Sequence, residues 1–261
     1  MTVSRSEVAG STIARVTGLT KEFRSAGGEV LAVADVDLEV RQREFLSLCG
    51  PRGCGKSTLL SMLGGLTPPT RGEVVIDGEP LAGPSRDIGM MFQTPVLFPW
   101  RTTLQNVLLP IEVFGKRPAD HKDRARELLG MVGLEEFVDA YPWQLSGGMQ
   151  QRAALCRVLL YDPKLLLLDE PFGALDEFTR EAMDLELLRI WSETAKTIVF
   201  VTHNINEAVF MSDRVAVMTP RPGRVVSVLD IPLPRPRERQ LMRTREFADL
   251  VFEARSLLGV A

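Results

Sequence analysis

Residues Phe45 to Leu60, FLSLCGPRGCGKSTLL, constrain the fold of this chain more than any other stretch. The apolar run Phe45, Leu46, Leu48, Cys49 predicts a buried strand; it breaks at Gly50, and helical spacing begins near Lys56. Between them lies the pattern G-x-x-x-x-G-K-S: Gly50, Pro51, Arg52, Gly53, Cys54, Gly55, Lys56 and Ser57, followed by Thr58. Glycines let a backbone wrap an anion and turn several N–H groups toward it. The helix that follows adds its positive N-terminal end. Lys56 is placed to reach the outer phosphates of a polyphosphate, and the Ser57 hydroxyl suits a magnesium ion.

Strands are expected at Ile13 to Leu19 and at Val30 to Val40, where Ala34-Asp35-Val36-Asp37-Leu38-Glu39-Val40 alternates apolar and polar residues. The helix after the loop should run from Lys56 to Leu66 and stop at Thr67-Pro68-Pro69. A short strand at Gly72 to Asp77 turns at Asp77-Gly78, and an apolar strand at Ile88 to Phe92 ends at Gln93. From Thr94 to about Tyr161 the pattern is helical: Thr103 to Phe114, Asp120 to Met131, and a helix starting after Ser146. Strand signals return at Leu165, so residues 94–161 read as an inserted helical subdomain.

The four leucines Leu165 to Leu168 mark a strand buried on both faces of a parallel sheet. Helix Glu177 to Thr194, strand Thr197 to Thr202, helix Ile205 to Ser212 and strand Arg214 to Met218 then alternate, an α/β pattern with crossover helices. One domain over residues 1–261 is expected, its α/β core drawn from 10–93 and 162–261. The arginines Arg235, Arg237, Arg239, Arg243 and Arg245 read as a solvated basic surface, ahead of a lipid-headgroup contact.

A net charge of −3 argues against nucleic acid as a partner. Cys49, Cys54 and Cys156 have no framework spacing and read as reduced thiols. The first residues, MTVSRSEVAGS, lack the apolar centre of a signal peptide, and no apolar run approaches the roughly 18 residues of a membrane span. A soluble chain able to sit on a membrane protein is expected.

Four further pieces narrow the choice among nucleotide-handling chains. Asp169 and Glu170 follow the leucine strand; a carboxylate there can hold magnesium through water, and Glu170 is placed to polarise an attacking water. An acidic pair after a strand also fits a helix cap. In Leu145-Ser146-Gly147-Gly148-Met149-Gln150-Gln151-Arg152, Ser146 is a good N-cap, and Gly147 and Gly148 expose backbone N–H groups, making a second anion site. Gln93 and His203 each end a strand; taken alone, either fits an ordinary polar cap.

In combination these residues resemble the nucleotide-binding subunit of an ATP-binding cassette transporter across almost the whole chain. The family's order of elements falls here at Phe23 (base stacking), Gly50 to Thr58 (phosphate loop), Gln93 (glutamine loop), Leu145 to Gln150 (signature), Asp169-Glu170, Ala174-Leu175-Asp176 (D-loop) and His203 (switch histidine). The resemblance implies a P-loop NTPase (RecA-like) core with an antiparallel β subdomain and an inserted helical subdomain, binding ATP and Mg2+. It implies that Ser57, Gln93 and, through water, Asp169 hold the metal, and that Lys56, Gln93, Glu170 and His203 serve hydrolysis. It also implies that two copies clamp two ATP molecules, each signature serine reaching the ATP held by the other copy.

A finer resemblance, carried by Leu97-Phe98-Pro99-Trp100, Pro171 to Asp176 and Pro220-Arg221-Pro222-Gly223-Arg224, is to importers of nitrate, sulfonate and taurine. That implies a permease partner, an indirect solute-binding protein, and a place at the cytoplasmic face of the cell membrane. Fewer than about forty residues follow the last motif, little room for an added regulatory domain. Met149 stands where many cassettes have glutamine, and Arg52 where the family has a small serine. The competing readings are a soluble cassette ATPase of DNA repair or translation, for which heptads or a paired cassette are missing, and a kinase, which has no use for the serine-glycine signature.

Overall fold

The computed structural model describes residues 11–25, 28–173, 175–194 and 196–259. Strand β1 (Thr12–Ser25) pairs antiparallel with β2 (Gly28–Arg41) and β4 (Arg71–Ile76), and β4 with the two-residue β5 (Glu79–Pro80), in the order β2-β1-β4-β5. The second sheet joins β3 (Phe45–Cys49), β6 (Ile88–Met91), β7 (Leu165–Asp169), β8 (Thr197–Thr202), β9 (Arg214–Met218) and β10 (Val225–Asp230) in the order β10-β9-β3-β8-β7-β6. Within it β3, β6, β7, β8 and β9 run parallel and β10 is antiparallel to β9. Helix α1 (Lys56–Leu63) follows the phosphate loop. Helices α2 (Thr103–Val113), α3 (Lys122–Met131) and α4 (Gly147–Leu160) lie between β6 and β7; α5 (Glu177–Thr194), α6 (Ile205–Met211) and α7 (Arg245–Leu257) complete the chain.

The leucine run behaves as its composition predicts. Leu165 and Leu167 pack with Leu46, Leu48, Val199 and α1 on the face toward the antiparallel sheet. Leu166 and Leu168 pack with Phe45, Phe200 and the later helices on the other face. Side chains of a strand alternate sides, so an unbroken apolar run needs cover on both. Each leucine so buried contributes about 1.5–3 kcal/mol.

The fold is the P-loop NTPase α/β architecture expected, with several differences of detail. Strand β1 runs past Leu19 to Ser25, because pairing of Phe23 with Val30 and Arg24 with Glu29 overrides a charged stretch with no apolar alternation. Helix α1 stops at Leu63, where the Leu66 amide turns back to the Ser61 carbonyl (3.0 Å) and Gly65 takes φ 69°, a Schellman-type end. The expected helix from Asp120 opens as a 3₁₀ turn, Pro118–His121.

The basic stretch is not a simple solvated surface. Arg235 donates to Asp213 at 2.9 Å and lies 4.1 Å over the Trp191 ring, and Arg237 is buried against the carbonyls of Val209 and Phe210. These two arginines tie the tail to the last turn of α6, whose carbonyls attract cations. Strand β10 and helix α7, with Phe247, Val251 and Ala254 buried at helical spacing, were not foreseen. The three cysteines are buried free thiols, and burial pushes Cys49 up to about 11 and Cys156 to about 12, which keeps both protonated.

Candidate functional site

Parallel pairing brings the carboxyl ends of β3, β7 and β8 to one edge, with Cys49 beside Thr202 and Asp169 beside Val201. Ligands of open α/β sheets bind at that edge. The loop after β3 holds Lys56, buried despite its charge, with its ammonium donating to the carbonyls of Gly50 (2.8 Å) and Pro51 (2.9 Å). Pro51, Arg52, Gly53 and Ser57 are exposed, Gly55 and Thr58 partly so, and Cys54 is buried. Gly55 sits at φ 105°, and a Cβ there would come within 2.7 Å of the Ala32 carbonyl. The loop is therefore pressed against β2, which only glycine permits.

The Ser57 hydroxyl donates to Asp169 Oδ1 at 3.1 Å. Burial raises the Asp169 carboxyl above its usual range, the Ser57 hydrogen bond opposes this, the neighbouring Glu170 charge adds to it, and Lys56 lowers it. A hydroxyl and a carboxylate side by side form a hard oxygen pair, the donor chemistry of Mg2+.

Glu170 is the centre of a second cluster. Gln93 Nε2 donates to its Oε2 (3.3 Å) and His203 Nδ1 lies 3.2 Å from its Oε1. Its backbone has φ 44°, an uncommon conformation for a residue with a Cβ, pinned by its amide donating to Val201 O at 3.0 Å. Such strain, on the order of 1 kcal/mol or more, persists where surrounding structure enforces it. So Gln93, Asp169, Glu170 and His203, up to 110 residues apart in sequence, converge within hydrogen-bond reach of one another or of the phosphate loop.

The signature stands apart from this cluster. Ser146 caps α4 by accepting from the Met149 amide (3.2 Å), and among the described residues no hydrogen bond joins Ser146, Gly147 or Gly148 to the phosphate loop. A Cβ on Gly148 would touch Leu175 at 2.4 Å, so the signature turn packs on the D-loop. Ala174 of that loop lies outside the described residues. Asp176 accepts from the Thr179 amide (3.0 Å) and hydroxyl (2.6 Å), and these bonds hold its carboxyl below the usual range. Phe23 is 44% exposed on β1, with the Lys21 ammonium 5.2 Å from its ring centroid.

Three residues support the site through contacts that the sequence does not show. Gln151, 1% exposed, donates to the Gln93 carbonyl at 3.3 Å. Arg157 grips the carbonyls of Pro95 (3.1 Å) and Val96 (2.8 Å), fixing a loop in which the β-branched Val96 takes φ 40°. Their only sequence signal is polar character inside an apolar helix. Gly223 is the third: its amide and carbonyl pair with Ala32 and Ala34, both at 3.0 Å, laying the Pro220 to Arg224 segment over the phosphate loop.

Residues 33–173, from β2 through the phosphate loop, Gln93, the signature and the Asp169-Glu170 pair, match the family model described as ABC transporter. The chain belongs to the ABC transporter family. As an ABC transporter ATP-binding subunit it is an ATPase, and its relatives share nearly its full length. It is 48% identical over 233 residues to an uncharacterized ABC transporter ATP-binding protein of Methanocaldococcus jannaschii, covering 89% of this chain and 87% of that protein. It is 42% identical to the taurine import ATP-binding protein TauB of Rhizobium johnstonii (89% and 90% covered) and 39% identical to the aliphatic sulfonates import ATP-binding protein SsuB of Bacillus cereus (91% and 94%). Among solved structures, the dimeric post-hydrolysis state of the ATP-binding cassette MJ0796 bound to ADP and Pi superposes with a TM-score of 0.77 at 36% identity, covering 85% of this ABC subunit and all of that chain.

Proposed function

We propose that this ABC ATPase powers an importer of a small anion of the taurine, aliphatic sulfonate or nitrate kind. It works as an ATP-sandwich homodimer docked on permease subunits at the cytoplasmic face of the cell membrane, fed indirectly by a solute-binding protein. The observation that carries this reading is the roughly 40% identity, over nine-tenths of the chain, to proteins named for taurine and sulfonate import. In this reading residues 1–261 form one cassette and residues 94–161 its signature-bearing helical insert. No described helix is long and apolar enough to cross a membrane, so docking requires a surface.

In this reading each site residue takes a role. Lys56, released from the Gly50 and Pro51 carbonyls, neutralises phosphate charge alongside the loop amides. Phe23 stacks on the base, and Ser146, Gly147 and Gly148 cap the nucleotide held by the second copy. Ser57, Gln93 and, through water, Asp169 would hold Mg2+, which when bound supplies charge stabilisation at the phosphate oxygens. Glu170 accepts the proton of the attacking water, with Gln93 and His203 orienting its carboxylate.

The docking surface is the loop after Gln93. Trp100 is 69% and Val96 54% exposed, and Phe98 stacks on Trp100 at 5.0 Å. Buried Asn106 fixes the Phe98 backbone by accepting from its amide (2.7 Å) and donating to its carbonyl (3.1 Å). An exposed tryptophan stacked on a half-buried phenylalanine whose backbone is fixed suits the anchor of a protein interface. Phe98→Asp with Trp100→Ala should abolish co-purification with the permease subunits while ATP binding by the isolated subunit persists; unchanged assembly would reject this surface. Stimulation of the reconstituted complex by taurine, alkanesulfonate or nitrate would identify the solute.

Arg52 faces the partner's D-loop in this arrangement. Asp176 keeps acceptor capacity after capping α5, since an ionised carboxylate offers about four lone-pair sites. In a Glu170→Gln background, Arg52→Ser and Asp176→Asn should each weaken ATP-driven dimerisation a few-fold, and the double variant should be no worse than either. Additive losses would eliminate a cross-dimer pair.

A further inference from the structure

At the amino-terminal edge of the parallel strands, opposite the phosphate loop, a cavity of about 840 Å³ opens where residues 41–44 enter β3 and Asp213 and Arg214 open β9. Its apolar wall is Trp191, Leu185 and Leu188 of α5 with Pro236, and six arginines line the remainder against three carboxylates. Some of that charge is spoken for. Arg235 is paired with Asp213 at 2.8 Å, Arg214 with Glu44 at 3.2 Å, and Arg189 with Glu186 and Glu193. Arg41 and Arg43 are exposed and their side chains make no ion pair among the described residues.

Arg237 is the unusual member. It is only 5% exposed, its hydrogen bonds go to the neutral carbonyls of Val209, Phe210 and Ile231, and its Nε has no hydrogen-bond partner among the described residues. Buried charges ordinarily carry a counter-charge. The end of α6 offers it at most about half a charge, shared with Arg235. Burial, and then the Arg235 charge, lower the Arg237 guanidinium to about 9, and the Asp213 carboxylate, already paired with Arg235, opposes this only in part. Of the three carboxylates, Glu44 acts on Arg41 and Asp213 on Arg237 while each is paired with another arginine, and Asp230 is 78% exposed and 3.9 Å from Arg214.

We propose that this cavity binds a small organic anion, its carboxylate or sulfonate drawn by Arg41, Arg43 and Arg237 and its apolar body laid against Trp191 and the α5 leucines. The volume falls within the range of small-molecule sites, which pair an apolar lining with a few placed polar groups. Arginine is the side chain suited to planar two-point contact with such an anion. The site is separate from that of ATP, which lies at the opposite edge of the sheet.

The test uses the full chain saturated with Mg-ADP, so that the phosphate loop is blocked, and benzenesulfonate as the probe. Titration calorimetry should give saturable one-to-one binding. In a Trp100→Phe, Trp143→Phe background, where Trp191 is the remaining tryptophan, its fluorescence should change with the same midpoint. Arg41→Gln with Arg43→Gln, exposed positions that leave folding intact, should weaken binding about fivefold or more, and Arg237→Gln further if it folds. The neutral isostere benzenesulfonamide should bind at least about tenfold more weakly. Absence of saturable binding, equal binding of the neutral isostere, or an unchanged midpoint in the Arg41/Arg43 variant would overturn the site. Inorganic sulfate binding as tightly as benzenesulfonate would overturn its organic ligand class.

Discussion

Replacing Glu170 by glutamine is expected to leave ATP binding intact and to slow hydrolysis by about 10²–10⁴-fold, the usual worth of a positioned base. The amide keeps the shape of the carboxylate and can still accept from Gln93 Nε2, but it cannot take a proton from water. The substitution removes one carboxylate while Asp169, which contacts Ser57, stays in place, so the nucleotide site keeps its donors. With turnover stalled, the ATP-bound dimer should accumulate on size exclusion. Phosphate release and nucleotide affinity measured on the same sample separate the two effects. A variant that hydrolyses ATP at the wild-type rate would remove Glu170 from the role of base.

The second large effect is expected at Gly223, far from the phosphate loop in sequence. Its amide and carbonyl are locked to Ala32 and Ala34, and a Cβ there would sit 2.0 Å from the carbonyl oxygen of Cys54, inside the loop. The obstacle is backbone, so no rotamer change relieves it. Gly223→Ala must displace either the loop or the segment that covers it. Overpacking of this kind costs about 1–3 kcal/mol. If the loop yields, nucleotide binding weakens about ten- to a hundredfold. Titration of a fluorescent ATP analogue against wild type and Gly223→Ala, with thermal unfolding in parallel, reads which side gives way. Unchanged affinity with lowered Tm would mean that the covering segment moves and does not brace the loop.

The nucleotide edge of this protein was legible in its residues because local chemistry dictates it. A G-x-x-x-x-G-K-S run between an apolar strand and a helix has few uses other than wrapping phosphate, and four consecutive leucines require cover on both faces. The apolar runs and helical spacing around Gln93, the signature, Asp169-Glu170 and His203 place each at a strand end or helix start. What those residues could not disclose was anything that depends on two distant segments meeting. The contact of Glu170 with both Gln93 and His203, and its left-handed backbone, arise from strand register across β6, β7 and β8.

The same holds for the arginines near the end, which look solvated in sequence because no local pattern marks a cation for burial. Only docking of the tail on α6 and Trp191 covers Arg237 and gives Arg235 a ring and a carboxylate. Gly223 likewise stands in the sequence only as one letter of the Pro220 to Arg224 motif, and its packing shows when β2 and the phosphate loop close on it from two sides. Propensity and motif act over a few residues, and so the sequence by itself determined the α/β class and the phosphate-loop motif. Burial, charge pairing and close backbone approach are set by packing between segments, and those only the tertiary structure decided.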